Sequence, residues 1–161
     1  MSDPFATPEE AKSAVRRLRG RLAAPVTLWT APGPAGLTVS SMLVADGEPG
    51  RVLGLIDEES ELWDAIESSE MFVVAPLGPN DQQLADRFAG LMPAPGGLFA
   101  GGSWQQTEFG PVSGSLWAGC RLVSSRPCGW ARLVEGVIET ISGDAPQPPL
   151  IHYRGRYHKL A

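Results

Sequence analysis

A chain of 161 residues with 43% hydrophobic and 19% charged side chains can build one packed domain, which excludes a disordered chain. Nineteen glycines and fifteen prolines exclude a simple helical bundle, and a formal net charge of −5 argues against non-specific nucleic-acid binding. No apolar run approaches the ~20 residues of a transmembrane helix, so no membrane role is expected.

The chain opens Met1-Ser2-Asp3-Pro4, without the basic start and apolar stretch of a secretory signal. A first helix is expected over about 7–20. Thr7 is the candidate cap, Pro8 takes the first helical position, and Glu10 sits where a capping box needs an acid. Ala11, Ala14, Val15 and Leu18 form its apolar stripe. Arg16, Arg17, Arg19 and Arg21 gather at its end; such a cluster could contact phosphate or nucleic acid, but it reads first as a solvated helix terminus favoured by the dipole. Pro25–Thr30 is β-branched and aromatic, hence a strand. The turn Ala31–Gly36 leads into a second strand, Leu37–Val44.

Val52–Ile56 reads as a short buried strand. Ser60 caps a helix that presents Leu62, Trp63 and Ile66 inward. Met71–Ala75 is a strand, and Asp81 is the candidate cap of a helix carrying Leu84, Phe88 and Leu91. From Pro93 to Gly114 the chain reads as a loop, a length often tied to function. Ser115–Ser125 alternates as a strand. Trp130–Ile141 fits a helix by period and a strand by composition. The tail, Pro148–Tyr157, is strand-like with a basic, aromatic end. Short strands with inserted helices imply a mainly β protein, a small barrel flanked by helices, forming a single domain over 1–161.

Motifs for hydrolytic and nucleotide-triphosphate chemistry are missing from the sequence. Two histidines, both in the tail, exclude a three-histidine zinc site, and no metal is expected. Cys120 and Cys128 read as reduced packing residues of a cytoplasmic protein. The run Asp57-Glu58-Glu59 reads as the acidic start of a helix. Three hydroxyls, Thr38, Ser40 and Ser41, could either donate to an anion such as phosphate or face outward from an edge strand. No catalytic dyad or triad is apparent, so the catalytic residues stay unassigned.

Three segments carry a family resemblance: Gly36-Leu37-Thr38-Val39-Ser40-Ser41, Phe72–Leu77, and Leu84-Ala85-Asp86-Arg87-Phe88-Ala89-Gly90. With the closing segment Pro149–Tyr157, their order and spacing resemble the flavin reductase-like family, an FMN-binding split β-barrel of Greek-key topology. The resemblance implies noncovalent FMN, hydride transfer from NAD(P)H, a homodimer, and a possible partner monooxygenase. It places Thr38, Val39, Ser40 and Ser41 along the flavin, with Leu55, Asp57 and Ser60 near the ring edge and phosphate. Arg87, Phe88 and Ala89 would also meet the cofactor. It turns Gly129–Val137 into a strand, with the family's Asp-His pair falling on Trp130 and Ala131. In place of that histidine, the tail offers His152, Tyr153 and Arg154 as nucleotide-binding groups, unless the tail simply pairs as a final strand. Two alternatives share the scaffold: a non-catalytic flavin-binding module, and a deazaflavin- or haem-using relative.

Overall fold

The computed structural model describes residues 13–143 and 147–160. Helix α1 runs Ala14–Gly20, with Ser13 as its cap accepting from the Arg16 amide at 3.2 Å. The expected cap Thr7-Pro8 and Glu10 lie outside the described residues. Within the described residues the helix starts at Ala14, because Ser13 is extended at ψ 160° and serves as its cap. Its expected inner stripe is not inner. Val15 and Leu18 are exposed, and no residue of α1 is buried.

Strand β1 (Ala24–Pro25) leads to β2 (Thr27–Ala31), which hairpins into β3 (Ala35–Val39). The expected single strand Leu37–Val44 is instead two. It breaks at Ser40-Ser41, and β4 (Met42–Ala45) then pairs with β5 (Arg51–Ile56). Helix α2 (Glu61–Ser69) follows as predicted, with Ser60 as cap and Leu62, Trp63 and Ile66 buried. Next come β6 (Met71–Pro76) and helix α3 (Gln82–Phe88). Asp81 precedes α3 without capping it through its side chain, and its carboxylate accepts from the Gly78 amide instead.

The expected loop 93–114 contains a small hairpin, β7 (Gln105–Thr107) with β8 (Gly110–Val112). Strands β9 (Trp117–Cys128) and β10 (Ala131–Ser142) form one long hairpin around Gly129-Trp130. The ambiguous segment is thus a strand. The tail is a hairpin rather than one strand: β11 (Leu150–Tyr153) and β12 (Arg156–Lys159) turn at Arg154-Gly155, both at positive φ.

Seven strands pair in the order β3-β2-β6-β9-β10-β5-β4. In a flat sheet the two outer strands would lie about 29 Å apart. Only Ser40 and Ser41 separate β3 from β4, and so short a link spans at most about 11 Å. The sheet must therefore roll into a nearly closed barrel whose seam is crossed at Ser40-Ser41. The Leu55 amide donates to the Ser41 carbonyl at 2.9 Å, which fastens the crossing to β5.

Trp29 and Phe72 fill the barrel, stacked at 4.9 Å and 9°. Each ring lies where a strand across the barrel carries glycine. A Cβ on Gly54 would fall 2.5 Å from Trp29, and one on Gly136 2.5 Å from Phe72. Helix α2 adds Leu62, Trp63 and Ile66 to this core. A second cluster joins Val26, Leu28, Leu77, Ala85, Phe88 and Leu150, packing α3 and the tail against β2. The tail hairpin pairs with β1 through Ala24 opposite His152, and the Arg154 amide donates to the Gly20 carbonyl at 2.8 Å. Helix α1 and the tail are thereby joined. Among the described residues no helix is long and apolar enough to cross a membrane.

Candidate flavin groove

Strand β5 alternates, with Val52 and Ile56 buried in the barrel and Leu53 and Leu55 on the outer face. Leu43 of β4 lies opposite Leu53, and Leu133 of β10 lies opposite Leu55. These four leucines form an apolar floor outside the barrel. Leu55 keeps 39% of its surface exposed and Leu43 72%. A groove of about 840 Å³ lies over this floor. Ser40 and Ser41 stand at the seam, and the facing wall is built by α1, β1 and the tail: Arg16, Arg19, Leu22, Pro25, His152 and Gly155. A volume of that size suits an organic cofactor.

The groove's charge is one-sided. Among the described residues its lining holds two arginines and a histidine and no carboxylate, although the chain as a whole is acidic. Burial is the main cause that lowers the His152 pKa, helped by the nearby Arg19 charge and by His158. Tyr157, on the strand paired with His152, is pushed up by burial and by its hydrogen bond to Asp86. Apolar walls for a ring and cations for an anion are a donor set that fits a flavin nucleotide.

The sequence-predicted residues divide. Ser40, Ser41, Leu55 and His152 meet in the groove. The others lie elsewhere. The Thr38 hydroxyl donates to the Ala85 carbonyl at 2.6 Å, tying β3 to α3, and Val39 is buried in the barrel core. Asp57 and Ser60 are engaged at the start of α2. The Asp57 carboxylate accepts from the Glu59 amide, and the Ser60 oxygen accepts from the Trp63 amide at 3.1 Å. Phe88 is buried, edge-on to Phe99 and Trp104 at 5.1 and 5.7 Å. Arg87 borders a separate cleft of about 220 Å³ with Gly101, Gly102 and Trp104, and Ala89 is the exposed C-cap of α3. The Tyr153 ring contacts His158 at 5.9 Å, and Arg154 occupies the tail turn at φ 53°.

Sequence reasoning missed Leu43, Leu53 and Leu133, and it set Arg19 aside as part of a solvated helix end. Arg19 was open to discovery, because residues 13–25 and 147–160 contain no acidic side chain at all. The hairpin tip is equally informative. Trp130 is fully exposed, while Ala131 follows the same side of β10 as Leu133 and so faces toward the groove side of the sheet. Arg132 points the other way. Its guanidinium lies 5.0 Å over the Trp63 ring, its Nε donates to Ser125, and Glu58 sits 3.5 Å away. Glu58 of the acidic run thus pairs outside the groove. Cys120 and Cys128 are both free, and burial pushes the Cys120 thiol up to about 12, so it is inert. No group of three or more histidine, cysteine or acidic side chains among the described residues could hold a metal.

A sequence profile described as "flavin reductase like domain" matches residues 19–161. The chain belongs to the flavin reductase-like family. This family member is 27% identical to a protein named FMN reductase (NADH) RutF from Methylorubrum extorquens, over 99% of this chain and 81% of the relative. It is 28% identical to the reductase component of 4-hydroxyphenylacetate 3-monooxygenase from Thermus thermophilus, over 92% of this chain and 97% of that one. Among solved structures, flavin reductase PheA2 superposes with a TM-score of 0.83 at 24% identity, over 96% of this chain and 99% of the other. A nitrilotriacetate monooxygenase component B homologue from Mycobacterium thermoresistibile gives 0.81 at 27%, over 91% and 85%. The architecture is therefore the family's mainly β split barrel with flanking helices.

Proposed function

We propose that this flavin reductase-like protein binds FMN in the leucine-floored groove and reduces it with NADH or NADPH. The observation that carries this reading is the groove itself: one apolar face, hydroxyls at the barrel seam, and a wall whose charged side chains, among the described residues, are arginines. Flavin, when bound, supplies the hydride-accepting chemistry. The chain's contribution is position. Leu53, Leu55 and Leu133 offer a flat surface for an aromatic ring system, Ser40 and Ser41 offer donors beside it, and the wall shields the pair from water. Orientation of two rings at reactive distance is worth orders of magnitude in rate, which explains why no acid–base dyad is needed.

The same reading makes the chain a cytoplasmic homodimer that hands reduced flavin to a monooxygenase, as the names of the relatives suggest. Leu43 and Val44 on the edge strand are 72% and 64% exposed, an apolar edge that a second copy would cover. Ala131 at the position of the family histidine favours a second reading, a flavin-binding module with slow or no turnover. One experiment separates them. FMN should quench on titration into the purified protein, and NADH or NADPH should then bleach the bound flavin in stopped flow. Binding without bleaching supports the module, and no binding of FMN removes both readings.

A further inference from the structure

Charge along this chain is sorted. Every ionised side chain within 13–25 and 147–160 is a cation: four arginines in α1 and its cap, then Arg154, Arg156 and Lys159. Residues 26–143 carry fourteen acids against five arginines. The two cationic segments are far apart in sequence but form one body, through the β1–β11 ladder and the bond from Arg154 to Gly20. That body is the groove's outer wall.

Within the wall, Arg19 and His152 face the groove together and are close enough for the arginine to disfavour a charged imidazole. The groups around His152 are Arg19 on α1, Tyr157 and His158 on β12, and the Ser40-Ser41 step across the groove. None of these is a carboxylate, and no carboxylate lines the groove among the described residues. An arginine beside an imidazole that can take up a proton, with no carboxylate facing the pair among the described residues, is an arrangement that an anion in the groove would complete. The helix end does not supply that negative charge through open acceptors. The carbonyls of Leu18, Arg19 and Gly20 accept from Arg21, Leu22 and Arg154.

We propose that Arg19 and His152 form a phosphomonoester subsite of the groove. It would take either the 5′-phosphate of FMN or the 2′-phosphate of NADPH, and it rests on the reading that the groove accepts flavin and nicotinamide nucleotides. A monoester fits better than a diester. Near neutral pH it carries close to two charges, enough to neutralise an arginine and a protonated imidazole, and it presents three acceptor oxygens. In the free protein His152 is held neutral by burial and by Arg19 and His158. A dianion beside it reverses that preference, so binding takes up a proton.

The test has three arms. First, FMN and riboflavin are titrated into wild-type, Arg19→Gln and His152→Gln proteins. If the flavin phosphate is the ligand, Arg19→Gln weakens FMN roughly tenfold to a hundredfold, the size of a charged hydrogen bond, and leaves riboflavin unchanged. Second, NADP⁺ and NAD⁺ binding are compared in the same proteins. A loss confined to NADP⁺ assigns the subsite to the 2′-phosphate instead. Third, the His152 imidazole is followed by NMR against pH, with inorganic phosphate or with chloride at equal ionic strength. Its titration midpoint should rise in phosphate alone, and the rise should vanish in Arg19→Gln. Equal losses for phosphorylated and unphosphorylated partners, or no rise in phosphate, would overturn the subsite. Because the third arm needs no flavin, failure of the flavin reading and failure of the subsite are told apart.

Discussion

Replacing Gly54 by alanine tests how the barrel is filled. The added Cβ would lie 2.5 Å from Trp29 Cη2 and 2.6 Å from Cζ2, where ordinary carbon contacts need about 3.5–4.0 Å. The ring would have to retreat by about 1 Å. It has little room, since Phe72 stacks on it at 4.9 Å and its Nε1 donates to Thr27 at 3.1 Å. Thr27 is itself fixed by donating to the Val39 carbonyl at 2.6 Å. Overpacking of this kind costs about 3 kcal/mol. Replacing glycine in a strand recovers roughly 0.5–1 kcal/mol. A net loss of about 2 kcal/mol is expected, a fall in Tm of roughly 4–8 °C for a chain of this size. Urea unfolding should show a lower midpoint with an unchanged slope. Trp29→Phe removes the outer part of the indole, so Gly54→Ala in that background should cost less than about 1 kcal/mol. Equal costs in the two backgrounds would show that the indole does not set the limit.

Ser60→Ala should lower stability by about 1 kcal/mol in chemical denaturation, because the Trp63 amide loses its cap. Tyr157 has a folded-state pKa above its unfolded value of about 10, so the stability it contributes is complete below that pH and is lost as pH rises toward the folded value. Alkaline unfolding curves should therefore fall more steeply in the wild type than in Tyr157→Phe. In the proposed homodimer, Leu43→Glu places a charge on the exposed face of the edge strand, and sedimentation should then show monomer where the wild type is dimeric.

Helix α2 could be read in advance because Ser60, Leu62, Trp63 and Ile66 obey a local rule, a cap followed by helical spacing. The break at Ser40-Ser41 obeys no local rule. Leu37 to Val44 is a good strand by composition, and only the pairing of β3 with β2 and of β4 with β5 divides it. The segment of β10 fits a helix by period, while its β-branched content and Gly136 point to a strand. In the folded chain that glycine is the space occupied by Phe72, a long-range fact that no window of sequence contains. The groove was half visible. Its hydroxyls stood out in the family pattern, whereas Leu43, Leu53 and Leu133 look like core because an outward leucine and an inward one are the same letter. Thr38 misled for a related reason. Its hydroxyl bonds to α3, whose position depends on packing from the second cluster.

The seam at Ser40-Ser41 also bears on how the chain finds its fold. Three of the sheet's pairings are hairpins and form locally, namely β2 with β3, β4 with β5, and β9 with β10. The other three join strands far apart in sequence, and such closures make a β protein slow to fold. Because two residues tether the first pair of hairpins, those four strands arrive as one piece, already bent at the crossing. Strand β6 and the β9–β10 hairpin then have a single opening to fill, and filling it completes the tube. Lengthening the tether should slow that last step more than a similar insertion at the exposed Gly129-Trp130 tip, which lies outside every closure that the barrel requires.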